Sequence, residues 1–150
     1  MPTEMKKMKS VKTQDAVTVY NVLKGLKIAK LAKADQFAVL RAARALKPIA
    51  AGFEDFVKDA QERLKPEGFD AVVEKSQRFA MLGDEEKSAV NAAFNAYQKD
   101  VDECVRPELE SVKEVDSFEV LSEEALSGIA SANEQLDVQT LMLIEDVCGA

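Results

Sequence analysis

Histidine is absent from this chain of 150 residues, and so is tryptophan. The first absence excludes Ser-His-Asp and Cys-His catalysis, imidazole acid–base chemistry and the common histidine metal sites. Cysteine is limited to Cys104 and Cys148 without CxxC spacing. Neither a disulfide framework nor a zinc site is indicated, and a reducing compartment fits. The six glycines are dispersed and match neither the P-loop nor GxGxxG, so both familiar phosphate-binding loops are excluded. No apolar run approaches the roughly 20 residues of a membrane-spanning helix. The opening MPTEMKKMKSVKTQDAV is charged but lacks the apolar stretch of a secretory signal. The expectation is a protein of the cytosol with no membrane partner.

What is present favours helix. Apolar residues make up 47% and aromatics only 6%, and alanine, lysine, glutamate and leucine are abundant. A chain of this length suits one domain that buries roughly 70% of the surface exposed when unfolded. Charge divides unevenly along it. Residues 1–50 hold eleven Lys/Arg against three acids (Glu4, Asp15, Asp35), and residues 51–150 hold nine against twenty-four. Such a split marks either a basic nucleic-acid-binding arm on an acidic body or complementary surfaces that meet within one chain or between copies.

Residues 1–12 read as a flexible basic arm, with too few apolar side chains to anchor it. Asp15 is placed to cap a first helix of about ten residues whose inner face is Ala16, Val19, Tyr20 and Leu23. The stretch LKGLKIAKLAK (23–33) has a lysine at every third position. A break at Gly25, in the left-handed conformation that ends helices, divides it into two solvated helical faces, the second beginning at Ile28. Leu46, Ile49, Phe53, Phe56, Ala60 and Leu64 then form the strongest apolar stripe in the chain. Pro48 predicts a kink or restart within it, and KPEG at 65–68 ends it.

A second long helix is predicted from Asp84, as its cap, to Pro107, as its exit. Its stripe is Val90, Ala93, Phe94, Tyr97, Val101, Cys104 and Val105. Two such helices pack as an antiparallel hairpin. Residues 108–121 alternate as a strand does but have no evident partner strand, and Ser122 and Asp137 are placed to cap two short helices. The predicted fold is therefore all-α: a long antiparallel helical hairpin with a short N-terminal helix and a C-terminal cap of short helices, residues 13–150 forming a single helical domain.

Candidate chemistry is thin. The clusters GDEEK, KDVDE and SEEA lie at helix starts or along a helix, where acids serve the dipole and solubility. Tyr20 and Tyr97 read as core residues whose hydroxyls reach the surface. Cys104 has only Arg106 nearby in sequence to activate it, so a nucleophile is not expected. No catalytic residue, cofactor or metal is predicted. Nucleic acid would meet Lys6, Lys7, Lys9, Lys12, Lys24, Lys27, Lys30, Lys33, Arg41, Arg44 and Lys47. With only Tyr20 and Phe37 as nearby aromatics, such binding would be weak and non-specific.

The layout VYNVLKGLK, LKPIAAGFEDFVKDAQERL, AFNAYQKDVDECVRPELESVKEV and a closing LSEEALSGI followed by LDVQTLMLIEDV resembles a group of small bacteriophage and prophage helical proteins of unknown activity. The resemblance covers most of residues 19–147. It implies a non-enzymatic product used in virion assembly or against a host protein, located in the cytoplasm of a bacterial host or in the virion. The leading expectation is a non-catalytic accessory or assembly protein acting through protein–protein contacts, self-association included. Its complementary surfaces would be Lys24, Lys27, Lys30, Lys33, Arg41 and Arg44 on one side and Glu54, Asp55, Asp59 and Glu62 on the other. The alternatives are weak nucleic-acid binding by the basic third and inhibition of a host protein by the acidic part.

Overall fold

A computed structural model describes residues 9–115 and 120–149. The element order is β1 (Lys9–Lys12), α1 (Thr13–Lys24), α2 (Lys33–Leu64), α3 (Phe69–Ser76), a 3-10 turn at Phe79–Met81, α4 (Asp84–Glu110), β2 (Val112–Val115), α5 (Glu123–Ala132) and α6 (Val138–Cys148). The protein is mostly helical, with α2 and α4 as its two long helices, in keeping with the all-α expectation. It divides into two compact units, one formed by Met1–Phe53 with Leu109–Ala150 and the other by Glu54–Glu108.

The larger unit has a core of Ala16, Val19 and Leu23 from α1, Val39, Ala42 and Leu46 from α2, Ala125 and Ile129 from α5, and Ile144 and Val147 from α6. Their recurrence at three- and four-residue intervals puts each set on one side of its helix. The strand expected without a partner has one. Val112–Val115 pairs antiparallel with Lys9–Lys12, in the register Lys9↔Val115 and Val11↔Lys113. Val11 and Val115 share the buried face of this ribbon, and Ser10, Lys12, Val112 and Glu114 are exposed. Residues 9–12 of the stretch read as an arm are thus a strand, and the remainder of that stretch lies outside the described residues.

Thr13 ties the ribbon to α1: its N–H and hydroxyl both reach the Ser111 carbonyl, at 2.9 and 3.2 Å. Lys12, which makes no capping hydrogen bond through its side chain, occupies the cap position, and Asp15 lies in the first turn, where its charge still meets the helix dipole. Gly25 ends α1 as expected, but at φ −96°, outside the left-handed region. Past it the expected helix from Ile28 does not form, and residues 26–32 are turn, bend and irregular chain. The reason is on α5 and just beyond it. Buried Asn133 accepts the Lys27 N–H at 2.8 Å and donates from Nδ2 to the Lys27 and Ile129 carbonyls at 3.1 and 3.0 Å. Leu31 packs at Gly128, where a Cβ would stand 3.2 Å from its Cγ. Backbone groups that a helix would pair internally are held by a side chain distant in sequence.

Neither Pro48 nor Pro107 ends or restarts its helix. α2 runs unbroken through Pro48, and α4 continues past Pro107 to Glu110. Each proline forfeits one backbone bond, and the burial of Ala42 and Leu46 before Pro48 and of Val101 and Val105 before Pro107 holds the helices. Asp84 is the first residue of α4 rather than its cap, and the Gly83 carbonyl accepts the Lys87 N–H at 2.9 Å. The two C-terminal caps form as expected: Ser122 Oγ accepts the Ala125 N–H at 3.1 Å, and Asp137 Oδ1 accepts that of Thr140 at 2.7 Å.

In the smaller unit, Ala60, Phe69, Val90, Val101 and Val105 are buried. Gly68, at φ +79°, supplies the left-handed step between α2 and α3 that a side chain would strain. Phe69 then packs edge-on to Phe94 at 5.2 Å and tilted on Tyr97 at 4.6 Å. Tyr97 donates its hydroxyl to the Gln61 carbonyl at 2.6 Å, which joins α4 to the last turns of α2.

Candidate functional site: an apolar cleft with a cationic rim

The larger unit carries a cleft of about 360 Å³ between α1 and α2. α1 contributes Tyr20, Leu23 and Lys24, the segment after Gly25 contributes Leu26 and Ile28, and α2 contributes Val39, Leu40, Ala43, Arg44 and Lys47. The opening exists because residues 26–32 follow the Asn133 clasp and Leu31, and do not continue α1 against α2. Leu23 and Val39 are buried at its floor, whereas Leu40 is 43% exposed. Phe37, one turn before Leu40 on α2, is also exposed. Lys24 Nζ lies 4.9 Å from the centroid of the Tyr20 ring, a cation–π contact that places the ammonium at the rim. Arg44 and Lys47 are exposed on the α2 side.

The predicted contact residues therefore separate. Lys24 and Arg44 meet at the cleft and are joined by Lys47, which the sequence placed only among the nucleic-acid candidates. Lys27 and Lys30 are exposed in the segment between α1 and α2, Lys33 is the first residue of α2, and Arg41 lies on that helix without lining the cleft. Glu54, Asp55, Asp59 and Glu62 are exposed along the part of α2 that belongs to the smaller unit, and none lines the cleft. Glu54 pairs with Lys58 at 3.6 Å, an exposed i,i+4 contact of small energetic weight. The apolar floor escaped the sequence reading. Its available signal was the pair Phe37 and Leu40, large apolar side chains off the Leu46 stripe.

The cysteines are differently placed. Cys104 is half-buried on α4, and its sulfur accepts from Arg63 Nη2 at 3.2 Å, a basic neighbour that sequence proximity did not reveal. Burial pushes the Cys148 thiol up to about 12, an effect that the charge of Lys9 partly opposes. Lys9, itself lowered by burial, donates to the Gly149 carbonyl at 3.0 Å. A thiol reagent at about pH 8 is expected to modify Cys104 and spare Cys148 until denaturant is added, as read by mass spectrometry of the labelled peptides. Since folding favours the neutral Cys148 thiol, its contribution to stability is full below the ordinary pKa of 9.0 and is lost as pH rises toward about 12.

Among the described residues no group of three or more carboxylates or cysteines is arranged to hold a metal, and no helix is long and apolar enough to cross a membrane. The class that fold and site define is a mostly helical protein whose larger unit carries an apolar cleft under a cationic rim. Comparison of the chain with protein families, with curated proteins and with solved structures finds no match.

Proposed function

We propose that the protein acts by contact and without chemistry of its own, and that the α1–α2 cleft receives the apolar side chains of an acidic amphipathic segment of a protein partner. The observation that carries this reading is the cleft itself: an apolar floor reaching the surface at Leu40, rimmed by Lys24, Arg44 and Lys47. At the small end of ligand-sized cavities, it accommodates a few side chains. The cations at its edge set register and favour a partner of opposite charge. Helix-in-groove recognition has this division of labour, with apolar anchors buried and charges flanking them. An accessory or virion-assembly role of the kind the resemblance implies would work through such a contact. A nucleic-acid partner is less well served, because the apolar floor contributes nothing to phosphate and the one aromatic side chain in the cleft, Tyr20, is already engaged by Lys24.

The test is a titration, by fluorescence anisotropy, of a labelled helical peptide with a leucine stripe flanked by glutamates, beside its lysine-flanked counterpart and a short DNA duplex. Binding of the acidic peptide alone is expected, weakened at least about tenfold by Leu40→Glu or by the double substitution Lys24→Glu, Arg44→Glu. Equal binding of both peptides, or tighter binding of the duplex, would overturn the reading.

A further inference from the structure

Within the smaller unit, the turn from Phe79 to the start of α4 has the chemistry that the cleft lacks. Met81 is 87% exposed, the most uncovered of the large apolar side chains among the described residues. Asp84, Glu85 and Glu86 follow it within one turn, all exposed at the start of α4. The N-terminal end of a helix suits these acids, but nothing in helix formation calls for a methionine beside them in water. Lys87, which could temper the acids, turns back over the Phe79 ring, with Nζ 5.5 Å from its centroid. The turn thus offers one flexible apolar side chain backed by three carboxylates. The cleft offers an apolar floor backed by three cations, Lys24, Arg44 and Lys47.

Resting on the reading of the cleft given above, we propose that its occupant is a second copy of this chain, which inserts Met81 between Leu40 and Leu26 and sets Asp84, Glu85 and Glu86 against the cationic rim. Methionine suits an irregular pocket because its unbranched thioether adapts to the space available. The two surfaces differ, so a pair joined by one contact still has one free cleft and one free turn, through which it closes on itself or adds further copies. The division of charge between the two halves of the sequence then has a mechanical use, since it gives the assembly its polarity. A contact of one side chain and a few ion pairs is weak, dependent on concentration and sensitive to salt.

The experiment is size-exclusion chromatography with light scattering on the full chain, from roughly 10 μM to 1 mM. The average mass is expected to rise above that of the monomer with concentration in low salt and to fall back at about 0.5 M NaCl. Met81→Asp spoils the turn and Leu40→Glu spoils the cleft. Both positions are exposed, so both variants fold, and each alone is expected to be monomeric. Mixed in equal amounts they retain one good cleft and one good turn between them. The mixture is therefore expected to form a dimer, and nothing larger. A wild-type chain that is monomeric throughout, variants that still associate, or a mixture that stays monomeric would overturn the proposal. The peptide titration separates the two levels: a monomeric chain that binds the acidic peptide leaves the cleft reading standing and removes self-association, whereas failure of both experiments removes both.

Discussion

Asn133→Asp is expected to destabilise the folded chain by about 3 kcal/mol or more at pH 7, measured as a shift in the urea midpoint by circular dichroism. The change replaces one atom, but the site is 1% exposed, and the amide nitrogen donates to two carbonyls, those of Lys27 and Ile129. A carboxylate retains the bond from the Lys27 N–H and turns a second acceptor toward two acceptors, with its charge buried as well. Burial and repulsion raise the aspartate above its unfolded value. Its penalty, relative to wild type at the same pH, is therefore full near neutrality and shrinks as pH falls toward about 4. Asn133→Ala, which strips the Lys27 N–H and carbonyl of their side-chain partner while the Ile129 carbonyl keeps the Asn133 backbone N–H, is expected to cost about 2–4 kcal/mol with no such recovery in acid. A midpoint within about 0.5 kcal/mol of wild type for either variant would show that the clasp does not hold the segment between α1 and α2.

Leu46→Ala is expected to cost about 2–5 kcal/mol, because Leu46 has no exposed surface and lies within the core of α1, α2, α5 and α6, where little can collapse into the space. Leu40→Ala, two turns earlier on the same helix, is expected to cost less than about 1 kcal/mol, since 43% of that side chain is already in water. The contrast bears on function. A leucine that contributes little to folding, beside an exposed phenylalanine and under a cationic rim, is free to contribute to binding. Thermal melts of the two variants against wild type decide the matter, and equal losses would place Leu40 in the core and remove it from the contact surface.

The parts of this fold that were legible in the sequence are those governed by neighbours a few residues apart. The stripe through Leu46 and Ala60, the end of α1 at Gly25 and the caps at Ser122 and Asp137 all rest on contacts within one or two helical turns. The misread parts depend on partners far along the chain. Val112–Val115 has the alternation of a strand, but its partner Lys9–Lys12 has only Val11 as an apolar mark and reads locally as solvated arm. The segment 26–32 has helical spacing, and only the distant Asn133 and Gly128 dictate otherwise. Pro48 and Pro107 each carry a local cost that packing on the flanking turns outweighs, so neither ends its helix. The candidate site was half visible for the same reason. Lys24 and Arg44 were recognisable as cations, but the apolar floor between them exists only once α1, the segment after Gly25 and α2 are brought together. The acids Glu54, Asp55, Asp59 and Glu62 stand out in the sequence by charge alone, whereas the turn at Met81, which adds an apolar anchor to its carboxylates, is visible only from the exposure of that side chain.

The central claim is that the α1–α2 cleft is a contact surface, and the most direct measurement is a map of backbone amide NMR shifts as the acidic amphipathic peptide is added to the full chain. Shifts concentrated at Tyr20, Lys24, Leu26, Leu40 and Arg44, and saturating with a single affinity, are the expected result. Shifts spread evenly over the exposed lysines of the chain, or none at the cleft while the peptide binds elsewhere, would contradict it.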